Sequence, residues 1–192
     1  MAIPKKGLYP ILKELIALKT KVLLSVVILV LALSITAFAT DGWWNFDTED
    51  EEDGKNYYAI SPEAYPSQVI PEGYGSLEMW VSVGCNVYEE WIFLGFTEKP
   101  DLRGLRIGKD GIDDGHIRIV FDGKVERFPI LQEWGSRFLH FENDDTIIRR
   151  IQDSDFMIIE LDWYGLGYIY YEIDLTGADE AITLMRLQMH QM

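Results

Sequence analysis

The stretch that decides the fold is residues 155–181, DFMIIELDWYGLGYIYYEIDLTGADEA. Alternate residues of 156–161 point to opposite faces of an extended strand, and both sets are largely apolar, which predicts a buried core strand. Residues 162–165 and Gly167 supply turn chemistry, and 167–175 returns with tyrosine and isoleucine residues that favour a pleated sheet. The stretch therefore predicts a β-hairpin.

A helix is expected to close the chain, because the hydrophobic period changes after Leu175. Thr176 is a candidate N-cap, and Asp179 and Glu180 fall in the first turn, where acidic residues complement the helix dipole. One helical face would carry Ala181, Leu184, Met185 and Leu187.

The formal charge of −15 is distributed unevenly along the chain. Residues 1–39 hold five lysines against Glu14, a balance of +4, so the remaining 153 residues carry −19. Such an acidic body repels nucleic acid, which excludes nucleic-acid binding as an expected function. Its length suits a single domain.

Residues 22–39, VLLSVVILVLALSITAFA, form an uncharged apolar segment that is expected to enter a lipid bilayer. Lys19 and Lys21 precede it, and Trp43 and Trp44 follow it where an interfacial belt would lie, so these four residues are the candidate membrane-interface residues. The lysine bias places the N-terminus in the cytoplasm and the acidic body in the periplasm.

Two outcomes remain open for this segment. Ala37 and Ala39 form an A-x-A site, which is typical of a cleaved secretory signal and would leave a soluble periplasmic protein. The 21-residue basic leader and the tryptophans after the segment favour a retained single-pass anchor in the inner membrane, which is the interpretation that we prefer.

The exported part is predicted to be mainly β, with an acidic, proline-containing linker at 40–75 and an antiparallel β-sandwich with two helices at 76–192. Asp122 and Gly123 separate two strands and predict a type I′ hairpin turn. The other expected elements are strands at 77–83, 90–96, 116–121, 124–129 and 138–141 and a short helix at 144–152.

The order of motifs resembles the VasI-type accessory proteins of type VI secretion and related exported β-sandwich domains. The resemblance covers 77–185 and rests on the segments WVSVGC (80–85), EEWIFLGF (89–96), IRIVFDG (117–123), LQEWGSRFLHF (131–141) and MIIELDWYGLGYIYYEIDLTGADEAI (157–182). It implies a β-sandwich beyond the inner membrane, a role as an accessory of a larger assembly, and no catalytic residues.

Motifs for catalysis or cofactor binding are absent from the sequence. Ser76 and Ser136 follow glycines but do not complete a serine-hydrolase motif. His116 and His140 have no third ligand at zinc spacing, and the acidic runs lack the glutamate that ends a calcium loop. We expect no enzyme activity, no cofactor and no metal. Cys85 is expected to be a small hydrophobic residue buried on a strand, with an intermolecular disulfide as the alternative.

The aromatic residues of the central turn carry the functional prediction. Trp163, Tyr164 and Tyr168 are the candidate partner-binding residues, because turns expose side chains and rigid aromatics anchor protein interfaces. The sequence therefore predicts a non-catalytic accessory or structural subunit that docks on the subunits of a membrane complex and contacts the bilayer through 22–39. The alternative is a cleaved, soluble periplasmic protein that binds a carbohydrate or a cationic ligand.

Overall fold

The computed structural model describes residues 42–50, 54–72, 74–108 and 110–191, so the predicted leader and membrane segment lie outside the described residues. The described chain contains nine strands and two helices. They are β1 (Trp44–Asp50), β2 (Gly54–Ile60), β3 (Met79–Cys85), β4 (Glu90–Phe96), β5 (Ile112–Phe121), β6 (Lys124–Glu133), β7 (Phe138–Phe141), α1 (Asp144–Gln152), β8 (Phe156–Trp163), β9 (Gly167–Asp174) and α2 (Ala178–His190).

The described strands form one antiparallel sheet in the order β1-β2-β3-β4-β7-β6-β5-β8-β9. Most neighbours in the sheet are also neighbours in sequence, as expected for hairpins. Two neighbouring pairs are exceptions. Strand β7 pairs with β4 and so lies between β4 and β6, and β5 pairs with β8 through the register Ile119↔Ile159. The prediction of a mainly β, antiparallel fold is confirmed.

The sheet folds so that β4 meets β8 and β9, and buried residues of both helices share the same core. Phe96 at the end of β4 makes edge-to-face contacts with Trp163 and Tyr171, at ring-centroid distances of 6.2 and 6.1 Å, although three strands separate β4 from β8. The segment between β2 and β3 also links distant strands, since Ala64 pairs with Met79 of β3 and Pro66 with Tyr171 of β9. This arrangement is consistent with the predicted sandwich.

Helix α1 occupies the predicted residues. Asn143 caps it by accepting a hydrogen bond from the Thr146 amide at 3.1 Å, which satisfies a donor that the helix leaves free. Ile147, Ile148 and Ile151 are buried on one side, whereas Arg149 is exposed on the other. This apolar stripe attaches α1 to β4.

Helix α2 packs on β1, β2 and β3. Its N-cap is Gly177, in the left-handed region at φ 84°, so the prediction of Thr176 as the cap is wrong by one residue. The Thr176 amide instead donates to Asp174. At the other end of the helix, Arg186 donates to both carboxylate oxygens of Glu90 at 2.8 and 2.9 Å.

The predicted acidic linker is wrong for residues 44–50 and 54–60, which form the antiparallel pair of β1 and β2. The side chains of these residues alternate between two faces, as in a strand: Tyr57 and Ala59 are buried on one face, and aromatic residues occupy the other. The ion pair between Lys55 and Asp47, at 2.9 Å, also offsets part of the acidic repulsion across the hairpin. In the described part of 61–75, no helix or strand is present.

Most of the remaining differences from the predicted boundaries lie at the ends of strands. Strands β4 and β7 have the predicted bounds, whereas β5 starts at Ile112 and β6 continues to Glu133. The acidic start of β5 is held by Arg106, whose backbone pairs with that of Asp114 and whose guanidinium binds the Asp114 carboxylate. Such a tertiary contact outweighs the low strand propensity of aspartate.

Cys85 ends β3 and is buried, as predicted. Burial, with a smaller contribution from the negative charge of Glu90, raises the pKa of its thiol to about 11. The thiolate is therefore a minor species at neutral pH, and this cysteine has the character of a small apolar core residue.

We predict that Gly123→Ala destabilises the domain by about 1–2 kcal/mol, because Asp122 and Gly123 have φ of 47° and 82° and an alanine is strained there. A Cβ at Gly123 meets no atom within 4 Å, so the loss reports backbone strain alone. Urea unfolding of the full chain in mild detergent measures it. Asp122→Asn is the control, since asparagine tolerates this region and keeps an oxygen for the Phe156 amide. Equal stability of Gly123→Ala and wild type would contradict the turn type.

We predict that Cys85 contributes to alkaline unfolding. Below pH 9 the thiol is protonated in both states, but between pH 9 and 11 only the unfolded state releases the proton, so stability falls as pH rises. Over this range wild type should lose about 2–3 kcal/mol more stability than Cys85→Ala. Urea unfolding at stepped pH measures both slopes, and parallel slopes would show that the thiol is not buried.

Candidate functional site

An aromatic surface covers the side of β1, β2, β3, β4 and β7 that faces away from the core. The register aligns Phe46, Tyr58, Gly84 and Trp91 in one row across the sheet and Ile60, Ser82 and Phe93 in the next. Residues at alternating positions, such as Val83 and Ile92, point inward and are buried. We call the outward set the aromatic face: Trp44, Phe46, Tyr58, Ile60, Trp80, Trp91, Phe93, Phe138 and His140.

The rings of the aromatic face contact one another in two groups. Phe46 stacks between Trp44 and Tyr58, with centroid distances of 5.0 and 4.9 Å, and Tyr58 meets Trp91 edge-on at 5.9 Å. In the second group, Phe93 lies 5.1 Å from Phe138 and 5.9 Å from His140. Offset-stacked and edge-on geometries of this kind are favourable for aromatic pairs, so the rings hold one another in position.

Small residues form the floor of this face. Trp91 lies over Gly84 and Trp80 lies over Gly95, each glycine belonging to the strand next to its tryptophan. A Cβ on either glycine would overlap the indole, so no larger residue allows the ring to lie across the strand at this distance. Ser82, the third floor residue, is fully buried.

The aromatic face is partly open to solvent and uncharged. Trp44 is 50% exposed and Phe138 is 41% exposed at its two ends, and the rings between them are half-buried. None of its nine side chains carries a formal charge at pH 7, in a segment of 153 residues with a charge of −19. Exposed aromatic surface without charge is the composition of a binding surface.

A hollow of about 500 Å³ lies at the Trp44 end of the aromatic face. Trp44, Ile60 and Trp80 belong to the face, and residues of the adjoining loops complete the lining: Gly42, Ser61, Pro62 and Glu63. The hollow therefore combines two indoles with a single carboxylate.

A second depression, of about 370 Å³, carries most of its charge as arginine. Arg118 of β5 forms an ion pair with Glu160 of β8 at 3.1 Å, and Arg103 lies 4.0 Å from Asp162. Arg127 of β6 sits directly opposite Arg118 in the register and has no ion pair with any described residue. The lining has three arginines and two carboxylates, and this surplus of one positive charge contrasts with the acidity of the exported segment.

The structure divides the three predicted partner-binding residues. Trp163 is 3% exposed, because it ends β8 with its ring against Phe96, so the expectation that the turn exposes it is wrong. Tyr164 is 65% exposed and lies beneath the guanidinium of Arg103 at 5.7 Å. Tyr168 is exposed and lines the arginine-rich depression. Tyr164 and Tyr168 thus remain candidates on a surface separate from the aromatic face.

The structure also separates the predicted membrane-interface residues from one another. Trp43 is 1% exposed and belongs to the core, which is incompatible with a place in an interfacial belt, whereas Trp44 is exposed on the aromatic face. Lys19 and Lys21 lie outside the described residues. Within 42–191, neither α1 nor α2 combines the length and hydropathy that crossing a bilayer requires.

The two central histidines are exposed on strands and lie apart. His140 belongs to the aromatic face, and His116 lines the arginine-rich depression. In the part of the chain that the structure describes, no three side chains among histidine, cysteine, aspartate and glutamate are grouped to hold a metal ion.

The aromatic face was not predicted from the sequence, although a signal for it exists. Antiparallel sheets usually place polar residues on the face away from the core. In β3 and β4, however, Trp80, Trp91 and Phe93 alternate with buried apolar residues such as Val81 and Leu94, so both faces are apolar. Two apolar faces on consecutive strands indicate a second contact surface.

Comparisons with protein-family models, with curated proteins and with solved structures gave no match for this chain. The geometry of the aromatic face, its hollow and the arginine-rich depression therefore carries the functional argument.

We predict that Gly95→Ala displaces the Trp80 indole and destabilises the domain by about 1–3 kcal/mol, the usual cost of overpacking. Ser82→Ala adds no atoms to the same face and removes a buried hydroxyl that has no hydrogen-bond partner among the described residues. It should leave stability unchanged or raise it by about 1 kcal/mol. Urea unfolding of the full chain measures both variants, and a wild-type midpoint for Gly95→Ala would contradict the packing of Trp80.

Proposed function

We propose that this protein is a non-catalytic accessory or structural subunit of a bacterial inner-membrane complex, whose exported β-sandwich docks on a partner protein through the aromatic face. The observation that carries the proposal is the aromatic face itself. It is an uncharged surface whose rings pack against one another in two groups and are open to solvent at Trp44 and Phe138.

Physical reasons favour a protein as the partner. Protein interfaces are enriched in tryptophan, tyrosine and phenylalanine and depleted of charge at their centres, which is the composition of this face. Packing of Trp80 and Trp91 over glycines restrains their side chains before binding, so less conformational entropy is lost on association. Such rings are the residue types that carry most of the binding energy in an interface.

The membrane location is the second part of the proposal. The apolar segment 22–39, the lysines before it and the acidic body after it support a single-pass anchor with the domain in the periplasm. The resemblance of 77–185 to VasI-type accessory proteins supports the same role. The anchor would contact the bilayer and the helices of partner subunits.

A soluble periplasmic ligand-binding protein is the second candidate. The hollow of about 500 Å³ beside Trp44 favours it, because its volume falls in the range of small-molecule sites. Cleavage after Ala39 would release such a protein.

The deciding experiment purifies the full chain from native membranes in mild detergent and measures both its intact mass and the mass of the complex. We predict that wild type retains its N-terminal segment and is part of a stable complex. Trp44→Thr combined with Phe138→Thr should weaken that complex at least about tenfold, because each truncation of an interface aromatic costs about 1–2 kcal/mol or more.

Two further variants make the result specific. Tyr88→Thr, which replaces an exposed aromatic residue outside the aromatic face, is the matched control and should leave the complex intact. Tyr164→Ser combined with Tyr168→Thr tests the turn surface, and loss of the complex only in this variant would move the docking site there. A mass beginning at Thr40, with the protein soluble and alone, would overturn the membrane-subunit proposal.

A further inference from the structure

We propose that the hollow between Trp44 and Trp80 is a binding site for a quaternary ammonium group, such as the trimethylammonium of choline. The inference does not depend on the docking role, since it concerns a small cationic ligand and one end of the aromatic face. It rests on the lining of the hollow, on the hydrogen bonds that this lining has already made, and on the charge of the exported segment.

The lining combines the two features that bind such cations. Tryptophan has the aromatic ring that attracts cations most strongly, and both Trp44 and Trp80 border the hollow. Glu63 adds one carboxylate at the rim, and it makes no ion pair with any described residue. Its negative charge is therefore available to a ligand.

The Ser61 hydroxyl, the one hydroxyl group among the lining side chains, is already used. The Ser61 hydroxyl donates to the Pro62 carbonyl and accepts from the Val81 amide, both at 2.9 Å. A primary ammonium brings three donors, and the acceptor that the lining side chains leave for them is the Glu63 carboxylate. A quaternary ammonium has no N–H donor, so Ile60, Pro62 and the indoles can surround its methyl groups without leaving a donor unsatisfied.

Size and long-range charge agree with this ligand class. The volume of about 500 Å³ is sufficient for a small molecule of this kind. The −19 charge of residues 40–192 favours a cation over a neutral or anionic molecule, an effect that salt should weaken.

The test is calorimetric titration of the full chain, in mild detergent at low salt, with choline and with 3,3-dimethyl-1-butanol. The two probes have the same shape, but only choline is charged. We expect choline to bind at least about fivefold more tightly, which corresponds to about 1 kcal/mol of cation–π and ionic attraction. Equal affinities would show a merely apolar hollow, and no binding of choline would overturn the site.

Variants separate the contribution of the indole ring from that of the carboxylate, and they leave the small residues under the aromatic face unchanged. Trp44→Leu keeps apolar volume but removes the ring, and it should weaken choline at least about fivefold, whereas Trp44→Phe should lie between it and wild type. Glu63→Gln should weaken binding about two- to fivefold and reduce its salt dependence. Trp134→Leu, at an exposed tryptophan outside the hollow, should bind as wild type does. Wild-type affinity in both Trp44→Leu and Glu63→Gln would refute the proposal even if choline bound elsewhere.

A third probe identifies the source of the ammonium group. Glycerophosphocholine carries the head group of a phosphatidylcholine lipid, with a phosphate that the acidic surface repels. Tighter binding of choline than of glycerophosphocholine would indicate a free cationic solute, and equal or tighter binding of glycerophosphocholine would indicate a lipid head group. Failure of choline binding in a chain that still forms its membrane complex would remove this site and leave the docking proposal intact.

Discussion

The contact of Phe96 with Trp163 and Tyr171 is the interaction on which the rest of the structure depends. It joins β4 to β8 and β9, which are distant in the sheet, and thereby brings two halves of one sheet around a common core. Each strand then packs one of its two faces against that core. The segment from Ala64 to Pro66 reinforces the closure through the backbone, since it pairs with both halves.

The same closure determines what remains outside. Once Met79, Val81, Val83 and Cys85 face inward, the alternation of β3 leaves only Trp80, Ser82 and Gly84 for the outer surface. Hydrophobic burial near 25 cal/mol per Å² explains the inward set but leaves exposed rings unexplained. Rings that pack over glycines and remain open to solvent suit a partner or ligand, which is why the proposed function rests on this face.

Charge divides the surface into regions of different character. The acidic majority of the exported segment repels polyanions, and it favours the cation that we propose to bind near Glu63. The aromatic face contributes no charge of its own. The arginine-rich depression has the opposite balance of charge and lies beside Tyr168, one of the residues that the sequence predicts to contact a partner.

The sequence predicts the position and bounds of those elements that depend on local sequence signals. The turn at Asp122 and Gly123 and the helix Asp144–Gln152 depend on neighbours in sequence, and the bounds of β4 follow from its own apolar run. The hairpin of β1 and β2 was not predicted, because its acidic composition resembles a linker and its stability comes from pairing with β3 and packing against α2.

The amino-acid sequence by itself determined the β-rich class, the hairpins of β5 with β6 and of β8 with β9, and the contrast between a basic N-terminal region and an acidic body, because these follow from local periodicity, turn chemistry and composition. Only the tertiary structure decided which aromatic residues are core and which are surface. Trp43 and Trp44 are adjacent, yet strand geometry buries one and exposes the other, and the closing of the sheet buries Trp163 at a turn. Burial depends on which distant strand covers a residue, and that is a property of the register and not of the residue type.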